Sequence, residues 1–304
     1  MNELLQPKPM STSHAFKLQP ERTAIANMAT TLLLTIVAMA LGWHSPSQAQ
    51  DRLILGVHPY LQHQEIKQRF SPLADYLSAG LGIDVEVRVG QNYQAHLQAL
   101  ANNQIDVAYL GPSLFVKLLR TNATLPLLAR LEADGSPTFT GHIVVRKDSP
   151  LKNLQDLKGK VMAFGDPEST MGTLVPRALL LQKGIDLDDL AYYHHYAGHT
   201  NVALAVLTGD ADAGAVKEEV FRKYTDRGLK SLMETPAISE HVFVASSSLN
   251  RAMVRKLRDL LLGISTPEQV KLVLKPIKRS ATGLVSATKA DYLTLRQLME
   301  DLDP

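Results

Sequence analysis

Residues 165–172 read Gly165-Asp166-Pro167-Glu168-Ser169-Thr170-Met171-Gly172, between an apolar run at 161–164 and a helical pattern at 173–183. This order predicts a strand, a tight loop and a helix start. Helix starts carry unpaired backbone N–H groups and a partial positive charge, and Ser169 and Thr170 add hydroxyl donors there. Gly172 lets a ligand approach the backbone closely. The loop therefore predicts a site for a small tetrahedral oxyanion. The alternative is an N-cap in which the hydroxyls only satisfy the helix's own N–H groups.

The rest of the chain alternates strand and helix patterns, which predicts an α/β fold. Strands are predicted at 53–57, 85–89, 105–110, 139–147, 161–164, 212–216 and 241–245. Helices are predicted at 64–81, 93–102, 112–119, 173–183, 201–207, 251–263 and 289–302. The third strand is entirely apolar at its centre and is therefore expected to be buried and parallel.

The helix, polar turn and strand at 96–107 resemble those at 202–213, which indicates two similar halves. We expect lobe one to comprise 50–140 plus 245–304 and lobe two to comprise 141–244. The chain would then cross between lobes twice, near 140–146 and 238–246. Two crossings make a hinge that can close around a ligand in the cleft.

The N-terminus has the pattern of a secretory signal. An apolar stretch at 28–41 follows Lys8, Lys17 and Arg22, and small residues flank Gln48 before the predicted cleavage site. We therefore expect residues 1–49 to be a signal peptide and the protein to lie in the periplasm. The stretch is shorter than the roughly 20 residues of a membrane span, although an uncleaved anchor stays open as an alternative. The chain has no cysteine, which excludes a lipid-anchored form and disulfides.

Composition excludes several functional classes. The net charge is +2 without a basic cluster, so no nucleic-acid partner is expected. His194, His195 and His199 invite a metal site, but the first two fall in a strand pattern, where neighbours point to opposite faces. No cysteine or close carboxylate joins them, so neither a metal nor another cofactor is expected. Ser169 and His199 could act as nucleophile and base, but no Gly-x-Ser-x-Gly motif is present, and an enzyme is not expected.

Several short segments occur in an order typical of one family. They are LGP at 110–112, ADGSP at 133–137, VRKDS at 145–149, DLKGK at 156–160, GDPEST at 165–170, LVP at 174–176, AGH at 197–199 and ALAV at 203–206. Over residues 52–300 the chain resembles the periplasmic phosphonate/phosphite/phosphate-binding proteins of ABC transporters. The resemblance implies a two-lobed type II periplasmic-binding-protein fold with the ligand between the lobes.

The resemblance also implies a set of ligand-binding residues. They are Ser169, Thr170, Met171, Gly172, His199, Tyr93, Phe139 and Glu219. Met171 replaces a serine and Phe139 replaces a tyrosine of the family pattern, so two hydroxyl donors are missing. Glu219 matches an acidic residue that binds the amino group of aminoalkyl phosphonates in some members, whereas the second such position falls near His241. Tyr109 is interpreted as core and Tyr60 as a residue of the cleft mouth.

The implied function is capture of a phosphorus oxyanion, namely phosphite, a phosphonate or phosphate, for an ABC importer. The protein would act as a monomer and dock on a membrane permease. With Met171 and Phe139 the pocket is expected to favour a ligand with a P–H or P–C face and without an amine. The alternative is a sensor of the same fold that presents its bound state to a membrane receptor kinase.

Overall fold

The structure is a computed structural model that describes residues 52–121 and 124–302. The predicted signal peptide, residues 1–49, lies outside this range. Within it, none of the helices combines the length and the apolar character that a membrane crossing requires.

The strands are β1 (Arg52–Val57), β2 (Asp84–Val89), β3 (Val107–Leu110), β4 (Leu127–Ala133), β5 (Thr138–Phe139), β6 (Gly141–Arg146), β7 (Val161–Phe164), β8 (Tyr192–His195), β9 (Ala213–Lys217), β10 (Leu229–Glu234), β11 (Ile238–Ser239), β12 (Val242–Ala245) and β13 (Ala281–Val285). The α-helices are α1 (His63–Leu81), α2 (Tyr93–Ala101), α3 (Pro112–Thr121), α4 (Val175–Gln182), α5 (His199–Thr208), α6 (Glu218–Thr225), α7 (Arg251–Leu262), α8 (Pro267–Gln269) and α9 (Leu293–Glu300). Single π turns at Thr170–Leu174 and Val270–Leu274 adjoin α4 and α8.

A six-stranded sheet with the order β13-β4-β12-β3-β1-β2 forms the core of lobe one. β1 pairs in parallel with β2 and β3, and β3 is fully buried, as the apolar sequence predicted. β12 runs antiparallel to β3 and β4. The sequence patterns did not predict β4 and β13, which are half-buried strands with irregular alternation.

A five-stranded sheet with the order β10-β6-β9-β7-β8 forms the core of lobe two. β7 pairs in parallel with β8 and β9, whereas β6 runs antiparallel to β9 and β10. β8 confirms that His194 and His195 lie in a strand. The strand β10 and the short helix α6 were not predicted.

The two sheets are connected through a two-stranded ribbon, in which β5 pairs with β11. The single strand predicted at 139–147 is wrong, because β5 ends at Phe139 and β6 begins at Gly141 in a different sheet. β12 belongs to the first sheet although it begins before the predicted boundary at residue 244. The lobe boundaries themselves remain a prediction.

Helix α4 is anchored on its buried side by lobe one. Leu174, Val175 and Ala178 share a hydrophobic cluster with Leu295 and Leu298 of the C-terminal helix α9. Burial of such side chains contributes roughly 1.5–3 kcal/mol each. The packing therefore holds the start of α4, and the loop before it, against the other lobe.

Candidate ligand-binding site

The loop at 165–172 folds back on itself between β7 and α4. The Gly165 N–H donates to the Gly172 carbonyl at 2.8 Å, and the Thr173 hydroxyl donates to the carbonyls of Gly165 and Asp166 at 3.1 and 2.8 Å. A Cβ on Gly172 would lie 3.0 Å from the Gly165 Cα and 2.7 Å from the Ser169 Oγ. Glycine at 172 therefore permits a backbone approach that any side chain would disturb.

The helix start offers free backbone donors. The Ser169 Oγ accepts from the Gly172 N–H at 3.1 Å, so this hydroxyl does cap the helix. The N–H groups of Thr170 and Met171 have no acceptor among residues 52–121 and 124–302. Both residues are buried. Two unpaired N–H groups at a helix start suit an oxyanion.

Thr170 also joins the two lobes. Its hydroxyl accepts from the Ser113 N–H at 3.0 Å and donates to the Ser113 Oγ at 2.9 Å. Ser113 in turn donates to the Glu168 carbonyl at 2.7 Å, and Lys117 forms an ion pair with the Glu168 carboxylate. In this conformation the Thr170 hydroxyl is engaged by the start of α3, and the two lobes meet beside the free N–H groups.

The side chains of Met171 and Phe139 lie in different surroundings. Met171 is buried against Gly141, and its sulfur accepts a hydrogen bond of 3.5 Å from the Thr235 hydroxyl. Phe139 lies beside His241, with ring centroids 5.6 Å apart, and the Lys278 Nζ stands 5.4 Å from its ring centroid. Met171 thus contributes its N–H to the helix start, and Phe139 contributes an apolar face near His241.

Three segments of lobe one meet at one sheet edge. His58 follows β1, Gly111 follows β3, and His241 precedes β12, whose antiparallel course brings its first residues to the end of β3. Ligands in open α/β sheets bind outside the carboxyl ends of the parallel strands. The topology therefore assembles a cleft wall from residues far apart in the sequence.

The wall is a cluster of stacked rings. The ring of Tyr109 stacks on His58 and His241, with centroids 5.9 and 5.2 Å apart, and His58 stacks on His241 at 5.7 Å. Tyr109 is only 3% exposed, as its interpretation as core requires, but its ring also builds this wall. Tyr60 and Tyr93 lie 5.1 and 5.2 Å from the His58 ring.

The hydrogen bonds fix which nitrogens carry protons. His58 Nδ1 lies 3.2 Å from the Tyr109 carbonyl and His241 Nδ1 lies 3.0 Å from the Glu240 Oε2, so each Nδ1 must donate. Burial, with the neighbouring His241, holds the pKa of His58 well below its ordinary value. Burial likewise lowers the pKa of His241, although Glu240 opposes the shift. Both rings are therefore neutral at pH 7, with lone pairs on Nε2.

Behind this pair, His96 is fully buried, and neither of its ring nitrogens meets the distance and angle of a hydrogen bond to any described residue. Burial lowers the pKa of His96 to about 4. The Tyr93 hydroxyl makes no hydrogen bond to any residue that the structure describes, and the charges of Asp166 and Glu168 act on it from lobe two. Burial raises the Tyr93 pKa, so the phenol keeps its proton and can donate it.

Lobe two adds His199, Lys217 and Glu219. The His199 Nδ1 accepts from the Lys217 N–H at 3.3 Å, and burial lowers the His199 pKa to about 3. The Lys217 Nζ lies 3.1 Å from the Glu219 Oε2. Burial alone would raise the Glu219 pKa, but Lys217 lowers it below its ordinary value. Glu219 is therefore a carboxylate already neutralised by the chain's own ammonium group.

A buried ion pair orients His241. Glu240 is fully buried, bonds both the backbone N–H and the ring of His241, and pairs with Lys278. Burial alone would raise the Glu240 pKa, but the His241 hydrogen bond and the Lys278 charge lower it to about 2. Glu240 and Lys278 were not predicted as site residues.

The metal hypothesis for His194, His195 and His199 receives no support from the geometry. His195 Nδ1 donates to the Gly165 carbonyl at 2.6 Å, and His194 is exposed. In the described part of the chain, a group of three ligand atoms within 4.8 Å of one another is found on His142, Glu218 and Glu234 instead. Arg222 and Ser231 already pair with Glu218 and His142, which makes this group an ion-pair network.

Sequence reasoning singled out the loop at 165–172 and four residues that lie around the His58–His241 pair, namely Tyr93, Phe139, His199 and Glu219. Their role in ligand binding stays a prediction, and in the described part of the chain none of the four side chains is hydrogen-bonded to the helix start. His58, Ser113 and Lys217 were missed. Their positions in the sequence could have indicated them, because His58 directly follows the first predicted strand and Ser113 follows the Gly-Pro pair after the third predicted strand.

Comparison with known proteins agrees with this geometry. Residues 55–292 match the family described as "ABC transporter, phosphonate, periplasmic substrate-binding protein". The chain is similar to the phosphonates-binding periplasmic protein of Escherichia coli, at 28% identity over 83% of this chain and 77% of that protein. It is also similar to the phosphate-import protein PhnD of Mycolicibacterium smegmatis, at 26% identity over 82% and 85%.

The fold matches solved structures of the same class. PhnD1 of Prochlorococcus marinus in complex with methylphosphonate superposes with a TM-score of 0.74 at 21% identity, over 83% of this chain and 98% of that one. The two sheets and their connecting ribbon are thus the two lobes of a type II periplasmic binding protein. The chain belongs to the family of periplasmic substrate-binding proteins of phosphonate ABC transporters.

Proposed function

We propose that this chain captures a phosphorus oxyanion between its two lobes and delivers it to the membrane permease of an ABC importer. The observation that carries the proposal is the pair of N–H groups at Thr170 and Met171, which have no acceptor among the described residues and lie on a loop that Ser113 of lobe one contacts. Hydrogen bonds to a charged group contribute about 1.5–3 kcal/mol each. The names of the relatives in Escherichia coli and Mycolicibacterium smegmatis support phosphonate and phosphate as the ligand class.

The ion pair between Lys217 and Glu219 restricts the range of ligands that the cleft can accept. A ligand with an amino group would have to displace Lys217 from the carboxylate. The apolar Phe139 near His241 adds no hydrogen-bond donor to this side of the cleft. The ligand we propose is therefore compact and carries no amine, as phosphite or methylphosphonate does.

We propose that the protein binds its ligand as a monomer and does not convert it chemically. Affinity would come from fixed donors in a buried site, and closure of the lobes would create the surface that the permease recognises. The periplasmic location typical of the family fits a protein that meets its ligand outside the inner membrane.

Isothermal titration of the mature chain with phosphite, phosphate, methylphosphonate and 2-aminoethylphosphonate tests the capture. We expect tight binding of phosphite or methylphosphonate, and at least tenfold weaker binding by Ser169→Ala/Thr170→Ala. Ser265→Ala/Thr266→Ala is the matched control, because this exposed pair also precedes a helix. The proposal would be contradicted if phosphate bound much more tightly than both phosphite and methylphosphonate, or if none of the four ligands bound.

Delivery needs a separate test. Cells that lack the chain should lose high-affinity uptake of the bound oxyanion and regain it with the wild-type chain but not with Ser169→Ala/Thr170→Ala. If the purified chain binds the oxyanion but cells without the chain take it up at the normal rate, delivery to a permease would be contradicted. That result would favour the alternative function, a sensor for a membrane receptor kinase.

A further inference from the structure

The lobe-one wall presents two hydrogen-bond acceptors at one point. His58 and His241 each donate from Nδ1, to the Tyr109 carbonyl and the Glu240 carboxylate, so each Nε2 carries a lone pair. The His58 Nε2 lies 3.6 Å and the His241 Nε2 lies 3.9 Å from the position that a Cβ on Gly111 would occupy. Neither Nε2 has a partner in the part of the chain that the structure describes, although His58 is only 2% exposed.

The two nitrogens adjoin the oxyanion site. Gly111 is two residues before Ser113, whose N–H and hydroxyl contact Thr170 at the helix start. The same short stretch of lobe one thus contacts the side chain of Thr170, which carries one of the unpaired N–H groups, and lies next to the two lone pairs. This adjacency would let one small ligand meet donors on one side and acceptors on the other.

The surrounding charges compensate one another. The titratable and charged groups that face the two rings are Tyr60, Tyr93, His96, Tyr109, His199, Lys217, Glu219, Glu240 and Lys278. Lys217 is paired with Glu219 and Lys278 with Glu240, so a carboxylate offsets each ammonium group, although the Lys217 charge still acts on both rings. A doubly charged oxyanion would place an unprotonated oxygen against the lone pairs, and the two nearby cations are already paired.

We propose that His58 and His241 accept a hydrogen bond from the hydroxyl of a singly protonated phosphorus oxyanion, while the Thr170 and Met171 N–H groups, in the π turn before α4, donate to its other oxygens. The inference rests on the proposed function and specifies the protonation state of the ligand. When the free ligand is doubly charged, binding takes one proton from solvent, which stays on the ligand's oxygen.

Selectivity follows from this arrangement. Sulfate and alkylsulfonates have the same tetrahedral shape but carry no hydroxyl near neutral pH, so they leave both lone pairs facing an oxygen. An acceptor left unpaired in a buried site costs about 1–3 kcal/mol. The site should therefore reject sulfur oxyanions in favour of phosphorus oxyanions of equal size.

Titration calorimetry in buffers of different ionisation enthalpy tests the proposal. The titrations use phosphite or methylphosphonate at a pH about two units above the ligand's second pKa, which is about 6 for a phosphate group. We expect the complex to take up about one proton per ligand bound. The affinity should fall about tenfold for each further pH unit. Sulfate should bind at least 100-fold more weakly than phosphite.

The variant His58→Phe/His241→Phe keeps the ring stack on Tyr109 and removes both lone pairs. It should lower proton uptake to near zero, which a merely structural role would not do. His194→Phe changes an exposed histidine of β8 and should leave uptake at one proton.

The outcomes separate the two proposals. Tight phosphite binding without proton uptake overturns the present inference and leaves the proposed function intact. Tight sulfate binding with uptake of one proton also overturns it, because the rings would then act as imidazolium donors. If no phosphorus oxyanion binds the wild-type chain, the proposed function and the inference fail together.

Discussion

The two walls of the cleft differ in the kind of polar group they present. Lobe two offers a donor wall, the Thr170 and Met171 N–H groups in the π turn before α4, fixed by a loop in which Gly165 and Gly172 touch. Lobe one offers a ring wall of stacked imidazole and phenol rings, in which His58 and His241 are each also fixed by one Nδ1 hydrogen bond. In the function that we propose, the donor wall binds the negative oxygens and the ring wall contacts what the ligand carries on its other face. The ligand's charge and its chemical identity would then be recognised by separate lobes.

Substitution of Gly172 should damage the donor wall most. In Gly172→Ala the new methyl group would lie 2.7 Å from the Ser169 Oγ and 3.0 Å from the Gly165 Cα, so the loop must move. We expect calorimetry to show at least 100-fold weaker binding of phosphite, because the N–H groups lose their fixed geometry.

Gly111→Ala is the matched variant on the ring wall. Its methyl group would lie 3.6 Å from the His58 Nε2 and 3.9 Å from the His241 Nε2 and the His58 Cε1, which is ordinary contact. The fold should be unaffected and the affinity should fall about tenfold, by crowding of the acceptors. Equal losses in the two glycine variants would contradict the distinction between the walls.

The ion pair behind His241 should dominate the stability of the ring wall. Glu240→Gln leaves Lys278 without its buried partner and should lower the free energy of unfolding by about 3 kcal/mol at pH 7. The Glu240 pKa is lowered from its ordinary value of 4.5 to about 2 in the folded protein, so its contribution is fully present only above pH 4.5 and is lost as the pH falls towards 2. Denaturant unfolding across this pH range should show that the free energy of unfolding falls less steeply with acid in the variant than in the wild type. The same pH dependence in both proteins would contradict this role for Glu240.

Lys217 should decide whether the cleft accepts an amine. Lys217→Met removes the ammonium group that neutralises Glu219 and leaves the backbone N–H that bonds His199. We expect affinity for 2-aminoethylphosphonate to rise about tenfold relative to methylphosphonate, since the ligand's amine can then pair with Glu219. Lys271→Met alters an exposed lysine and serves as the control, and the same gain in that variant would argue against a role for Lys217.

The smallest effect is expected where the walls touch. Lys117→Met removes the ion pair with Glu168 that links α3 to the loop at 165–172. This pair is partly exposed, and such pairs contribute about 0.2–1 kcal/mol. Phosphite affinity should fall about threefold, and small-angle scattering of the free protein should show a larger radius of gyration. A tenfold or greater loss would mean that Lys117 contributes to the site itself.

The donor wall could be predicted from sequence because its parts are contiguous. An apolar strand, a glycine loop and a helix start follow one another within residues 161–183, and local backbone rules connect that order to an anion site. The strand patterns likewise gave the α/β class and the buried parallel β3. Ser169 shows the limit of this reasoning, because its Oγ accepts from the Gly172 N–H, as in the alternative N-cap.

The ring wall could not be predicted from local patterns, because its residues are brought together only by the order of the strands in the sheet. His58, Gly111 and His241 become neighbours only once β12 is known to pair antiparallel with β3. Lys217 and Glu219 are close in sequence, yet their ion pair depends on the bend between β9 and α6. The strand predicted across Thr140 failed for the same reason, since local alternation does not reveal that a strand changes sheets.

A crystal structure of the mature chain with phosphite would show whether both lobes hold the ligand. We expect a phosphite oxygen within about 3 Å of the Thr170 or Met171 nitrogen and another within about 3 Å of the His58 or His241 Nε2. Phosphite held by one wall alone, or at a site remote from Gly111 and Thr170, would contradict this expectation.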